Sequence, residues 1–342
     1  MTSAFIKNLF AKCKMHGGGD AQVIISDSEV YALICMTIRD LGWSYQELDV
    51  RPINLPSSDY YQIGLDWFEE ISLADLSTDK ILTALDSCVK KDNDFSLYIE
   101  NFSALHRRRS KYKRILSQQP LPNMDQIGPR VLLEYGCCDV ELLANWMVWR
   151  KWIYDIDNRS AQETGYLFEP VLASCLGGEG MGAKNSPIKR LDAAGNPTTN
   201  GRQIDCLVPA TNTVYEFKLR VTIAASGQGR FGEELSFPAE SQAAGYRPIL
   251  LVLDPTPSTR LIELSQKFLS CGGEVHQGEA AWLHMEQQAG SVISVFIEKY
   301  IKPAIQAIES VNIADIRSLT LNWTSDRIVI SNSENSYSID RA

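Results

Sequence analysis

Long apolar runs are missing from this chain. No stretch of its 342 residues approaches the roughly 20 consecutive apolar residues needed to cross a bilayer, so no membrane-spanning segment is expected. A secretory signal is missing too: residues 1–15 carry Lys7, Lys12 and Lys14 but no apolar core and no small-residue cleavage site. The eight cysteines include no Cys-x-x-Cys pair, and the four histidines stand away from any cysteine spacing that would suggest zinc. Reduced thiols and a cytoplasmic location are expected. Gly-Lys-Ser and Gly-Lys-Thr are absent, which excludes a Walker A loop and argues against a nucleotide cofactor or ATP-driven translocation. Positive charge is in short supply: 33 Lys and Arg against 42 Asp and Glu give a net charge of −9. That excludes a uniformly basic DNA coat, although a local basic surface would still serve DNA binding. No internal repeat or low-complexity segment occurs.

What is present is an Asp, a short gap and a Glu-x-Lys, both parts set in strand-like sequence. Residues 204–208 and 214–220 flank a turn-like stretch at 209–213. In a strand successive side chains point to opposite faces. Glu216, Lys218 and Arg220 therefore share one face, and Phe217, Leu219 and Val221 the other. Paired as a hairpin, the two strands would bring Asp205 within a few ångströms of Glu216 and Lys218. Two carboxylates converging with an ammonium suit a hard divalent cation and an attacking water. Nowhere else in the chain does an acid stand two residues before a lysine. The competing expectation is a solvated hairpin whose Glu and Lys form a surface ion pair of little energetic value.

One basic run stands out in this acidic chain: Arg107, Arg108, Arg109, Lys111, Lys113 and Arg114 fall within eight residues. Leu105, Tyr112, Ile115 and Leu116 form an apolar stripe there, which predicts a helix with the basic groups fanned around its outer face. Such a face either meets phosphates or is simply solvated.

The periodicity predicts a mainly helical region over residues 20–155. One helix spans 24–41, with Ser26, Asp27 or Ser28 as N-cap ahead of Glu29. A Pro/Ser linker at 51–58 and a loop at 118–130 punctuate this half. Further helical stretches are predicted at 63–85 and 88–116, another helix at 140–154 and one at 160–176, the last carrying Glu169. Residues 223–237 read as a Gly/Ser loop leading into a short helix near 238–244. The five apolar residues 249–253, bounded by Pro248 and Pro255, read as a central strand buried on both faces. A helix at 259–269, a short strand at 274–276 and a long helix at 292–308, kinked at Pro303, follow. Residues 319–323 and 327–331 read as a terminal hairpin.

The order of helix with internal Glu, Asp strand, Glu-x-Lys strand, helix and apolar strand resembles the PD-(D/E)XK nuclease superfamily. The resemblance covers residues 160–269, about a third of the chain. It implies an α/β (α+β) fold with a restriction-endonuclease-like mixed sheet flanked by helices and a largely helical N-terminal part. Residues 158–342 would hold the catalytic core, and residues 1–157 a clamping or dimerisation part. By position, Asp205 and Glu216 are the metal-binding acids, Lys218 orients water, and Glu169 matches the acid many members carry on the preceding helix. The implied cofactor is Mg2+, with the carbonyl of Phe217 as a further ligand. Ile204 departs from the proline of the family name. The long helical part and the missing ATPase motif look like a type II restriction endonuclease. The segments at 165–170 and 216–222 look similar to the ApaLI-like group. That implies Mg2+-dependent, site-specific cleavage of double-stranded DNA, most economically by a homodimer. Arg202, Gln203, Arg220, Gln228 and Arg230 are candidates for DNA contact, since Arg can pair with guanine and Gln with adenine. The alternatives are a structure-specific repair nuclease or junction resolvase, a non-catalytic DNA-binding protein, and an unrelated α/β protein.

Overall fold

The computed structural model describes residues 3–15, 23–73, 75–219, 228–254, 256–309, 311, 318–324 and 326–341. The helices are α1 (Ala4–Lys14), α2 (Asp27–Asp40), α3 (Leu65–Glu70), α4 (Thr78–Lys91), α5 (Phe95–Gln118), α6 (Met124–Ile127), α7 (Val140–Cys175), α8 (Gln228–Ala243), α9 (Thr259–Ser270), α10 (Glu279–Gln288), α11 (Ser291–Phe296) and α12 (Lys302–Glu309). The strands are β1 (Glu179–Met181), β2 (Lys189–Leu191), β3 (Pro197–Gly201), β4 (Ile204–Val208), β5 (Thr213–Lys218), β6 (Arg247–Val252), β7 (Glu274–Gln277), β8 (Thr320–Trp323), β9 (Arg327–Ser331) and β10 (Ser336–Asp340). Among the described residues no helix is long and apolar enough to cross a membrane.

The chain forms two compact units. One comprises Met1–Lys91, Phe102–Thr164 and Lys299–Ala342; the other comprises Asp92–Asn101 and Gly165–Glu298. Where the sequence reading made one cut after residue 157, the C-terminal segment groups with the N-terminal unit.

In the first unit, α2 starts at Asp27, within the expected span 24–41, and takes the first of the three N-cap candidates. Ser26 is its N-cap, and a capping box joins Ser26 and Glu29 through reciprocal backbone and side-chain bonds. Gly42 follows at φ +66°, the left-handed turn that ends the helix. The predicted C-terminal hairpin gains a third strand: β8, β9 and β10 pair antiparallel in the order β10-β9-β8. Ile328 and Ile339 from this sheet pack with Trp152 and Ile156 of α7.

The second unit is built on a five-stranded mixed sheet in the order β1-β4-β5-β6-β7. β1–β4 and β4–β5 run antiparallel, and β5–β6 and β6–β7 run parallel. Ile249, Leu250, Leu251 and Val252 of β6 are fully buried, as a central strand requires. Their alternation divides them. Ile249 and Leu251 pack with Phe217, with Leu172 of α7 and with Met285 of α10. Leu250 and Val252 pack on the other face with Val214, with Phe237 of α8 and with Leu264 and Phe268 of α9.

The helices differ from the sequence-based expectation in several places, and α1 and α10 were not expected at all. The stretches expected at 140–154 and 160–176 are one 36-residue helix, α7, which runs through Pro170. Of the stretch read as a loop over 223–237, the described part from Gln228 onward is helical, since α8 starts there and carries Pro238 inside it. The break expected at Pro303 lies just ahead of it: α11 and α12 are joined by a π-helical turn, Ile297–Ile301. A proline ring collides with the carbonyl four residues back, and a widened turn accommodates it.

Candidate active site

β4 and β5 form the hairpin that the sequence predicts. Cys206 pairs with Tyr215, Leu207 with Val214 and Val208 with Thr213. A 3-10 turn at Pro209–Thr211 closes the connection, with Asn212 in the left-handed region at φ +49°. This register sets Asp205 beside the end of β5, where its Oδ2 accepts a hydrogen bond from the Phe217 N–H at 2.9 Å. β1 lies against β4 because Gly178 has no side chain; a Cβ there would stand 2.6 Å from the Leu207 carbonyl.

On β5 the ammonium of Lys218 donates to Glu216 Oε1 at 2.9 Å and to Glu234 Oε1 at 3.1 Å. Glu234 comes from α8 and had no role in the sequence reading. Its second oxygen, Oε2, is buried with no hydrogen-bond partner among the described residues. Glu169 projects from α7 into a cavity of about 360 Å³, lined also by Pro170, Gly180, Met181, Gln203 and Asp205.

The electrostatics follow from crowding. Burial pushes the Asp205 carboxyl well above its ordinary range, and Glu216 and Glu169 push it the same way. The Phe217 N–H and Lys218 only partly oppose them. Burial and Glu216 likewise raise Glu169. For Lys218, burial works against the charge, but Glu216 and Glu234 outweigh it and hold the ammonium above the ordinary lysine range. Among the described residues, Asp205, Glu216, Glu169 and Glu234 thus gather around the Lys218 ammonium. The surplus negative charge, the orphaned Glu234 oxygen and the all-oxygen donor set fit a hard divalent cation.

The basic candidates divide. Arg107 is buried, and its guanidinium donates to the Lys12 and Cys13 carbonyls. It does not lie on an outer face, which corrects that expectation; α5 turns it inward toward the end of α1. Arg109 lies over the Tyr60 ring at 4.5 Å and donates to the carbonyls of Tyr60 and Ile63 at 3.3 Å each. Its stem and charge are spent on packing within the same unit. Lys113 pairs with Asp66 at 2.7 Å in an exposed position, and Arg114 is exposed. Burial lowers Lys111, and so do Arg108 and Arg159, which marks a cluster of repelling cations; Arg159 was missed from sequence because it lies on α7.

Arg202 is also a correction. It is buried, ion-paired with Glu240 at 3.6 Å, and packed over Phe237 at 5.8 Å. Its buried Nη1 has no hydrogen-bond partner in the structure. Gln203 is exposed and lines the cavity with Asp205. Arg220 lies outside the described residues. Gln228 and Arg230 fall in the first turn of α8 rather than in a loop, and their side chains lie outside the described set.

Comparison with known proteins identifies the family. Residues 53–302 match the family of ApaLI-like restriction endonucleases. The type II restriction enzyme ApaLI of Acetobacter pasteurianus is 43% identical over 297 residues, covering 84% of this chain and 78% of that relative. No solved structure is similar enough to count as a match. Divalent-metal use is a general property of such enzymes. The match spans most of both units, and the chain belongs to the ApaLI-like restriction endonuclease family.

Proposed function

We propose that this type II restriction endonuclease cuts both strands of a specific DNA site with Mg2+, using Asp205, Glu216, Lys218 and Glu169. The observation that carries the reading is the convergence at the β4–β5 hairpin. Asp205 Oδ2 is 2.9 Å from the Phe217 N–H, and Lys218 Nζ is 2.9 Å from Glu216 Oε1. Asp205, Glu216 and the Phe217 carbonyl are the oxygen donors that would hold Mg2+. When bound, the ion supplies charge neutralisation at the scissile phosphate and a more acidic water. Lys218, held protonated by its two glutamates, acts as a hydrogen-bond donor to the phosphate and the incoming oxygen rather than as a base. Glu169 faces the cavity that Asp205 also lines and orients the attacking water. Gln203, on the rim of that cavity, is positioned to touch the nucleotide.

Phosphate contacts fall to Arg108, Lys111, Lys113, Arg114 and Arg159 in the first unit. The exposed Lys113–Asp66 pair holds little energy and exchanges readily for a phosphate. Homodimerisation is supported by large apolar side chains left exposed in the same unit: Leu132, Leu133, Tyr135, Leu142, Trp146 and Tyr154 are all more than half exposed. A DNA substrate implies a cytoplasmic location. The test is incubation with long duplex DNA and Mg2+, followed by sequencing of fragment ends. One shared end sequence from the wild type and none from Asp205→Ala is expected. Site-specific cutting by Asp205→Ala would refute the assignment of this site.

A further inference from the structure

Two of the chain's four histidines meet a carboxylate on the other face of the same sheet. Glu274 and His276 stand two residues apart on edge strand β7, so their side chains share a face. Gly278, at φ +56°, then turns the chain directly into α10, with its N–H bonded to the Val252 carbonyl at 2.8 Å. α10 brings His284 back over the strand. The His276 and His284 rings stack with centroids 4.2 Å apart and planes 27° apart. Glu274, His276 and His284 each offer a donor atom, and these atoms lie within 4.8 Å of one another. All three residues are partly buried, so solvent reaches the cluster.

We propose that Glu274, His276 and His284 bind one Zn2+ ion that fastens β7 to α10. Imidazole nitrogens with a single carboxylate select a borderline ion such as Zn2+ over Mg2+, which prefers oxygen. The surrounding groups fit outer-sphere support. Arg247 holds Glu274 through Oε1 at 2.8 Å, leaving Oε2 turned toward His276 Nε2 at 3.2 Å. The Tyr215 hydroxyl, 3.2 Å from His284 Nε2, is a hydrogen-bond partner or a fourth donor. The site is separate from the carboxylate cluster. Strand alternation sends Tyr215 and Phe217 toward the face covered by α10, and Glu216 and Lys218 toward the face with α8.

The test uses the full chain stripped of metal, with Zn2+ affinity measured by competition against a chromophoric chelator. Wild type and Asp205→Asn should each hold about one tight Zn2+ per chain. His276→Ala and His284→Ala should weaken that ion by at least about tenfold while keeping Mg2+-supported DNA cleavage. Equal Zn2+ affinity in the histidine variants, or loss of the ion in Asp205→Asn alone, would overturn the site. Should the variants fail to fold, X-ray absorption of the Zn2+-loaded wild type decides. Imidazole nitrogen in the first shell supports the site, and an oxygen-only shell overturns it.

Discussion

Lys218 of β5 and Glu234 of α8 are joined across the sheet–helix boundary, with Nζ 3.1 Å from Oε1. The same ammonium also holds Glu216 at 2.9 Å. α8 therefore fixes where the lysine points, and Glu234 keeps it charged. Lys218→Ala should lower the cleavage rate by about a hundredfold or more, as loss of a charge-stabilising donor does. Glu234→Gln keeps an acceptor but removes the charge, so a smaller loss is expected. Its mark should be a pH–rate profile whose basic limb moves to lower pH. An unchanged profile in single-turnover assays would count against a role for Glu234.

Metal removal should expose the strain among the acids. Asp205 has an ordinary pKa of 3.8 and is raised well above it in the folded chain. The folded state then binds more protons than the unfolded state, so metal-free stability falls as pH rises from 3.8 through the raised folded value. Asp205→Asn keeps an acceptor for the Phe217 N–H and removes the charge. Its metal-free Tm should exceed that of the wild type at neutral pH, and its Tm should gain less from Mg2+. Thermal scans with and without EDTA read both effects.

The helical unit has its own pH sensitivity. His106 Nε2 faces Glu29 Oε1 at 3.3 Å, and its Nδ1 meets the Tyr60 hydroxyl at 3.0 Å. Burial outweighs the pull of Glu29 and lowers the pKa of His106 below its ordinary 6.5. The unfolded state then takes up a proton that the folded state refuses, so stability is lost as pH falls below 6.5. Burial works against Glu29, but hydrogen bonds from His106 and Ser26 hold its carboxyl low, which adds a further loss below 4.5. His106→Gln should flatten the upper part of this dependence and cost about 1–3 kcal/mol at pH 7. Urea unfolding at pH 5 and pH 7 measures both.

Within the basic run the residues should behave differently. Arg107→Ala removes the donor to the Lys12 and Cys13 carbonyls and should cost about 1–3 kcal/mol of stability. Neutralising Lys113 and Arg114 should leave stability nearly unchanged. It should weaken binding to all DNA sequences alike and flatten the salt dependence, since phosphate contacts carry no base information. A changed site preference in that double variant would sink the phosphate role.

Ca2+ should support DNA binding but not cutting. Its larger radius and looser coordination place the attacking water poorly, whereas Mg2+ and Mn2+ should support both. Cleavage that survives excess EDTA would end the metal reading.

The local signals in the sequence were strong where period and punctuation coincide. The hairpin around Asp205 and Glu216, a buried strand within the apolar run 249–253 and an N-cap among Ser26, Asp27 and Ser28 were all legible, because alternation, apolar runs and capping chemistry act over a few residues. Tertiary packing decided the rest. Nothing near Glu234 marks it as the partner of Lys218, since the contact depends on how α8 crosses β5. The meeting of Glu274, His276 and His284 required a strand and the following helix to fold back on one another. Arg107 and Arg202 read as surface charges because a sequence shows how polar a residue is but not which carbonyls or acids await it inside. Charge and periodicity are properties of the chain; burial is a property of the fold, and it selected which of these ionisable groups became an active-site candidate and which became part of the core.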